Sequence, residues 1–480
     1  MLFNSFEFFF FFIIVTVIYF NTPKAYRCLL LLIASCYFYM SFVPYYILIL
    51  FFTIIVDYIA GILIENEQNR QKRKALLLMS IIANVGVLVV FKYYNFFVDN
   101  IGTVLTSASL SNPLSYLKII LPIGLSFHTF QAMSYTIEVY RGIQKAERRF
   151  NYYALYVMYY PQLVAGPIER PQNMFPQMHF NYKPEYHRIA SGLRQMLWGL
   201  FKKVVIADRL SLFVDNVYGD VHNYQGFPLI WATIFFAIQI YCDFSGYCDI
   251  ALGASKVMGI KLMQNFKMPY LSTSISEFWS RWHISLSSWF RDYVYISLGG
   301  NRVNKWKWYR NLFIVFILSG FWHGANWTFI IWGALHGFYL IMGVMTQGVQ
   351  KKLFNLSNSI LYKKIFIFCE WILVMFLVAV GWVFFRANNV SDAIYLLKNA
   401  PKINMDYLIG IPIFSFQSIL LSFLFIFFVL VTDLYFEYRH KKPFAFTRKP
   451  YMRYAFVFLL CFSIYLFGIF EKHSFIYFQF

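Results

Sequence analysis

The stretch from Asn311 to Leu340, NLFIVFILSGFWHGANWTFIIWGALHGFYL, constrains what this chain can fold into more than any other. It is apolar and long enough to enter or cross a bilayer, which takes about 20 helical residues, yet it holds His323 and His336. Hydrocarbon offers an imidazole no hydrogen bond. An ionisable group at that depth is paired or works in a wet cavity, and so marks a functional site by default. His323 is flanked by Ser319, Gly320, Gly324 and Ala325, small residues that admit another backbone or a ligand, with Asn326 about one turn on. On one continuous helix, the 13 residues separating the histidines would turn His336 about 140° away from His323.

The rest of the chain is of the same kind. With 59% hydrophobic, 22% aromatic and 13% charged residues it departs from the mix of a soluble domain, and the expectation is an all-α polytopic membrane protein. Roughly 11 transmembrane or re-entrant helices are expected in a single integral domain over 1–480, with no soluble domain. The opening run FEFFFFFIIVTVIYF lacks a basic leader and a small-residue cleavage site, and reads as a retained helix. Six cysteines in apolar segments show no metal-ligand spacing, so neither a metal site nor a disulfide framework is expected. A net charge of +20 could suggest nucleic acid. The basic residues instead fall in short connections, around Arg73, Arg148 and Lys442, as expected of cytoplasmic loops, and no nucleic-acid partner is expected.

Taken in order, apolar segments at Phe6–Phe20, Cys28–Met40, Tyr45–Ile64 and Ala75–Val98 are read as spans, as is Leu117–Tyr140, where Pro122 and Gly124 allow a break before His128. His128 reads as a structural histidine. Prolines and a glycine in YYPQLVAGPIERP suggest a re-entrant helix ending near Gly166, with Glu169 and Arg170 at the membrane face. His187–Tyr218 alternates apolar residues with Arg194, Lys202, Lys203 and Arg209, which suits an interfacial or edge helix. Pro228–Tyr241 spans and leads into YCDFSGYCDIALGASKVMGI, where Asp243 and Asp249 are expected to bond to backbone or to an arginine of the next segment. In SISEFWSRWHISLSSWFRDYVYISLGGNR the charges Glu277, Arg281, Arg291 and Asp292 alternate with tryptophans, as in helices half sunk in an interface. Glu277 can pair with Arg281, and His283 with Ser287, each at i, i+4. Further spans are read at Ile365–Phe385, Ile409–Leu430 and Ala455–Phe470, with a superficial helix in ANNVSDAIYLLKNA and the most basic loop, RHKKPFAFTRKPYMR, before the last span.

Five segments, LPIGLSFHTFQAMSYTIEVYRG, QLVAGPIERP, IYCDFSGYCDIALGASKVMGI, EFWSRWHISLSSWFRDYVYISLGGNR and GFWHGANWTFIIWGALHG, resemble in order and spacing the membrane-bound O-acyltransferase family. The resemblance is closest to its bacterial branch, which includes the membrane subunit of alginate O-acetylation, the peptidoglycan O-acetyltransferases and the D-alanine transfer protein of teichoic acids. It implies a helical bundle with a central tunnel in the bacterial inner membrane, and His323 as the catalytic histidine with His283 as its partner. Asn326, Ser287 and Trp322 become candidates for substrate positioning or oxyanion stabilisation, and Asp243, Arg281, Asp292 and His336 for the tunnel or its structure. No bound cofactor is expected. The implied donor is an acyl thioester, acetyl-CoA or an acyl carrier protein; the other partners are membrane lipid, an extracytoplasmic acetyltransferase and a polysaccharide acceptor. The chemistry agrees, because acyl transfer to a hydroxyl needs a base that works near neutral pH. The same intramembrane His and Asp residues would also suit a proton-coupled transporter or a flippase, although no repeated halves are visible. A scaffold that only recruits a soluble transferase is the third reading.

Overall fold

A backbone in hydrocarbon has no partner but its own chain, so spanning segments become helices, and every regular element among the described residues is helical. The computed structural model describes residues 1–119, 121–403, 416–438, 450–470 and 475–476. Two compact units divide the chain, one of residues 1–196 with 247–263, the other of 197–246 with 264–476.

In the first unit, α1 (Phe6–Asn21), α2 (Lys24–Met40) and α3 (Ile47–Asn66) lead to α4 (Arg70–Leu88), which passes through a widened π-type turn at Val89–Tyr93 into α5 (Tyr94–Ser107). The expected span over Leu117–Tyr140 is shorter than the apolar run. Gly124, at φ 77°, ends an irregular approach, and α6 (Leu125–Tyr140) starts there. A Cβ at Gly124 would stand 2.8 Å from the Leu163 carbonyl oxygen, so both the backbone angle and the close approach require glycine. The proline-rich segment forms α7 (Phe150–Met158) and α8 (Tyr160–Leu163), two short buried helices stopping just before Gly166; α9 (Pro171–Met178) and the start of α10 (Tyr186–Phe201) follow. Polar side chains inside this unit are bonded. Ser80 and Asn84 donate to the buried Asp57 carboxylate, and His128 lies 2.6 Å from Thr53 Oγ1.

The second unit takes up the end of α10, a second π-type turn at Lys202–Ala207, and α11 (Asp208–Gly219). This region departs from the expected interfacial helix. Lys202 and Lys203 are buried, and Lys203 Nζ lies 2.8 Å from both Asp208 and Asp243, because a lysine inside an apolar bundle survives as an ion only when paired. The 32-residue α12 (Phe227–Met258) continues well past Tyr241, so Asp243 and Asp249 stand on the helix and not beyond its end. Asp243 accepts from the Ile476 backbone N–H, the backbone alternative of the expectation, and has Lys203 and not an arginine as its ion-pair partner, while Asp249 accepts from Gln195. After α12 come two short helices, α13 (Ile275–Arg281) and α14 (Ile284–Phe290), with Trp279, Trp282 and Trp289 buried and not lying in an interface. Ser274 caps α13 by accepting from the Glu277 N–H, while Glu277 reaches back to the Thr273 N–H.

The Asn311–Leu340 stretch is not one helix. α15 (Lys305–His323) ends at Gly324, and α16 (Trp327–Phe354) starts behind Asn326, whose Oδ1 accepts from the Thr328 N–H. The angular separation of the two histidines along a continuous helix therefore does not apply. The two helices fold back on each other through glycines: a Cβ on Gly320 would lie 2.3 Å from the Phe329 carbonyl oxygen, and one on Gly333 2.3 Å from that of Phe316. α17 (Ile360–Arg386), α18 (Val390–Asn399), α19 (Phe416–Tyr438) and α20 (Pro450–Phe467) follow. The start of the expected Ile409 span and most of the basic loop around Lys442 lie outside the described residues.

Among the described residues five helices are long and apolar enough to cross a membrane, and three shorter apolar ones accompany them. Large apolar side chains stay exposed along them, among them Phe10, Ile14, Leu48, Ile82, Phe376 and Phe427. In water such a surface would drive association; in lipid it is solvated.

Candidate functional site

His283 and His323, 40 residues apart in sequence, come together in the second unit with ring centroids 6.5 Å apart. Each is placed by a helix end. His323 is the last residue of α15, where extended Gly324 lets the chain turn, and its ring is met edge-on by Trp322, Trp332 and Phe385. His283 is the corner between α13 and α14. Its backbone is left-handed, at φ 44° and ψ 52°, which costs a side-chain-bearing residue about 1–2 kcal/mol. Such strain persists only where surrounding bonds over-determine it. Here they do: the Asn265 carbonyl accepts from the Ile284 N–H at 2.9 Å, and Asn265 Oδ1 contacts Ser285 N, Ser285 Oγ and His283 Nδ1.

Both imidazoles are buried, at 0% and 4% exposure, with Phe244 edge-on to His283. Burial in these aromatic walls pushes the His283 pKa well below the ordinary histidine range, so the ring is held neutral. With ring centroids 6.5 Å apart, the nitrogens of the two imidazoles stand at least about 4 Å from one another, too far for a direct hydrogen bond.

The other sequence candidates separate by what they touch. Trp322 packs against both histidines. Ser287 does not reach the His283 ring; the left-handed corner turns it so that Oγ donates to the Trp282 carbonyl, while its N–H keeps the His283 carbonyl. Asn326 is engaged as the α16 cap and by donation to the Asn388 carbonyl. His336 lies behind Trp279, whose indole N–H donates to its Nδ1 at 3.2 Å. Arg281 pairs with Glu277, as the spacing suggests, and also with Glu437, while Asp292 holds Arg291. Asp243 serves the Lys203 ion pair. Among the described residues no group of His, Cys, Asp and Glu could hold a metal. Sequence reasoning missed Asn265 and Trp279. Neither carries charge, and Asn265 sits in an irregular connection as one of several polar residues in KLMQNFKMPY, with nothing local to single it out.

Beside the pair lies a cavity of about 710 Å³, lined mostly by apolar residues of α13 to α17 and reaching Ser287 and Ser319, the latter about one helical turn from His323. Its size is that of a site for a substantial organic ligand.

A helical membrane bundle with two buried imidazoles side by side defines the class: an integral membrane protein with a candidate acid–base pair. Residues 148–385 match the MBOAT, membrane-bound O-acyltransferase family, and the chain belongs to that family. It is 42% identical over 318 residues to the probable alginate O-acetylase AlgI of Pseudomonas aeruginosa, covering 66% of this chain and 58% of that one. Against the peptidoglycan O-acetyltransferase of Helicobacter pylori it is 37% identical over 377 residues, 73% of this chain and 69% of that one. With the teichoic acid D-alanyltransferase of Bacillus subtilis it shares 31% over 225 residues, 45% and 56% of the two. The chain spans about 58% of the length of the Pseudomonas aeruginosa relative.

Proposed function

We propose that the protein is an O-acyltransferase of the bacterial inner membrane that takes an acyl group, acetyl in the first instance, from a cytoplasmic thioester and delivers it for O-acetylation of an extracytoplasmic polysaccharide such as alginate. The observation that carries this reading is the histidine pair, buried together with ring centroids 6.5 Å apart. An imidazole takes the proton of the attacking hydroxyl as its oxygen bonds to the thioester carbonyl. The C–S bond then breaks, and the proton passes to the departing thiolate, leaving an ester and a thiol. General-base assistance supplies about 10²–10⁴-fold, with the remainder coming from orientation and the dry surroundings. The neighbouring cavity has room for the arm of acetyl-CoA or of an acyl carrier protein, and no bound cofactor is needed. An extracytoplasmic acetyltransferase would complete transfer to the polymer. The peptidoglycan relative, aligned over a longer stretch than the alginate one, favours peptidoglycan as the second acceptor.

The test is acetyl content of exported polymer per inserted protein in strains carrying His323→Ala or His283→Asn, the latter because asparagine tolerates the left-handed corner. Both are expected to insert normally and to lose at least about 10²-fold in transfer. Wild-type acetylation by His323→Ala would overturn the catalytic reading in favour of a transporter, flippase or scaffold. Acetyl found on peptidoglycan and absent from exopolysaccharide would replace the acceptor.

A further inference from the structure

The bonds around Asn265 fix more than a backbone corner. A backbone N–H can only donate, so the Asn265 side-chain atom 3.1 Å from Ser285 N is the carbonyl oxygen and not the amide nitrogen. That same oxygen takes the Ser285 hydroxyl at 2.9 Å and lies 3.2 Å from His283 Nδ1. An acceptor-only atom selects a donor. Nδ1 therefore carries the imidazole hydrogen, and in the neutral ring the lone pair is on Nε2. The backbone of Asn265 is tied as well: Ile284 N–H donates to its carbonyl, and two residues on Lys267 N–H donates to the Arg281 carbonyl, so the connection before α13 runs paired along the corner that follows it. Phe244 and Phe266 close over the ring.

We infer that Asn265 is a positioning residue for acyl transfer, holding His283 as the Nδ1–H tautomer so that Nε2 receives the proton of the attacking hydroxyl. The inference rests on the acyltransferase reading above. It assigns the two histidines unequal parts: His283 enters the reaction with its hydrogen already committed, and the proton it gains at Nε2 is the one it later passes to the leaving sulfur. A neutral amide in this position orients the imidazole without adding a charge to the buried site. A carboxylate there would orient it too, but would hold the imidazolium far more tightly.

Three variants of the full chain in lipid nanodiscs test this, with 15N-labelled histidine and acyl transfer from acetyl-CoA as readouts. The His283 nitrogen signals are identified by their loss in His283→Gln, and the unmodified protein is expected to show a protonated Nδ1 and an unprotonated Nε2. Asn265→Asp keeps the acceptor for Ser285 and is expected to fold. Its carboxylate should move the acid limb of the kcat profile upward by about one pH unit or more, with KM for the donor within twofold. Asn265→Leu should lose the Nδ1–H pattern and at least about 10²-fold in kcat. A protonated Nε2 in the unmodified protein, or an Asn265→Asp profile superimposable on the unmodified one, overturns the inference. If the unmodified protein accepts no acyl group from any thioester, the acyltransferase reading fails, while the nitrogen spectrum still decides the tautomer.

Discussion

At the scale of single residues, one buried carboxylate shows burial competing with hydrogen bonds for control of a proton. Glu169, expected at the membrane face, is instead 1% exposed, with Asn173 and the Met263 N–H donating to its carboxylate. Burial nonetheless raises its pKa from the ordinary 4.5 to about 7, outweighing those bonds and the nearby Arg170. The folded state thus holds a proton that the unfolded chain releases. Glu169 favours folding below pH 4.5, and that contribution is lost as pH rises toward 7. Glu169→Gln should therefore melt progressively above the unmodified protein from pH 5 to 8; melting curves that keep a constant offset across that range would contradict this. His323 could be picked out because an imidazole in a long apolar run is conspicuous, whereas the part of His283 came from the family resemblance. Asn265 could not. Its role depends on folding back onto a corner 18 residues later, and no local pattern encodes that return. Lys203 shows the converse, since its charge was visible but the aspartates that allow its burial were not linked to it by sequence.

At the scale of elements, small residues decide how near two helices come. Gly333 faces the Phe316 carbonyl so closely that Gly333→Leu must push α15 and α16 apart, at a cost of about 3 kcal/mol or more. Gly86, with nothing within 4 Å of an added Cβ, should accept alanine with no loss and a gain approaching about 1 kcal/mol. Thermal unfolding in detergent checks both, and equal melting temperatures for the two variants would show that the glycine contact does not set the packing. Gly343 lines the cavity and likewise meets nothing within 4 Å. Gly343→Phe should keep the fold, fill the space and raise KM for the thioester about tenfold, equivalent to about 1.4 kcal/mol; an unchanged KM would place the donor elsewhere. The break at Gly324 to Asn326 was within reach of sequence, since a glycine followed by a capping asparagine is a helix stop and start. It was masked by the unbroken apolar run on either side, which hydropathy reads as one segment.

At the scale of the whole molecule, class and approximate order of segments followed from hydropathy, because a bilayer leaves so few alternatives for a backbone. Orientation follows from charge, and cysteines placed beside Arg73 and Arg148 should react with membrane-impermeant reagents only after the cytoplasmic side is opened. Labelling of both from outside would invert the topology. The aromatic wall around the histidines has one further consequence. A protein that passes acyl groups across an energised bilayer offers a route that protons could also take, and a continuous thread of water through it would short-circuit the gradient on which the cell runs. Trp322, Trp332 and Phe385, pressed edge-on against His323, put apolar rings where such a thread would pass, so that under the proposed function the packing around this imidazole would also serve as electrical insulation.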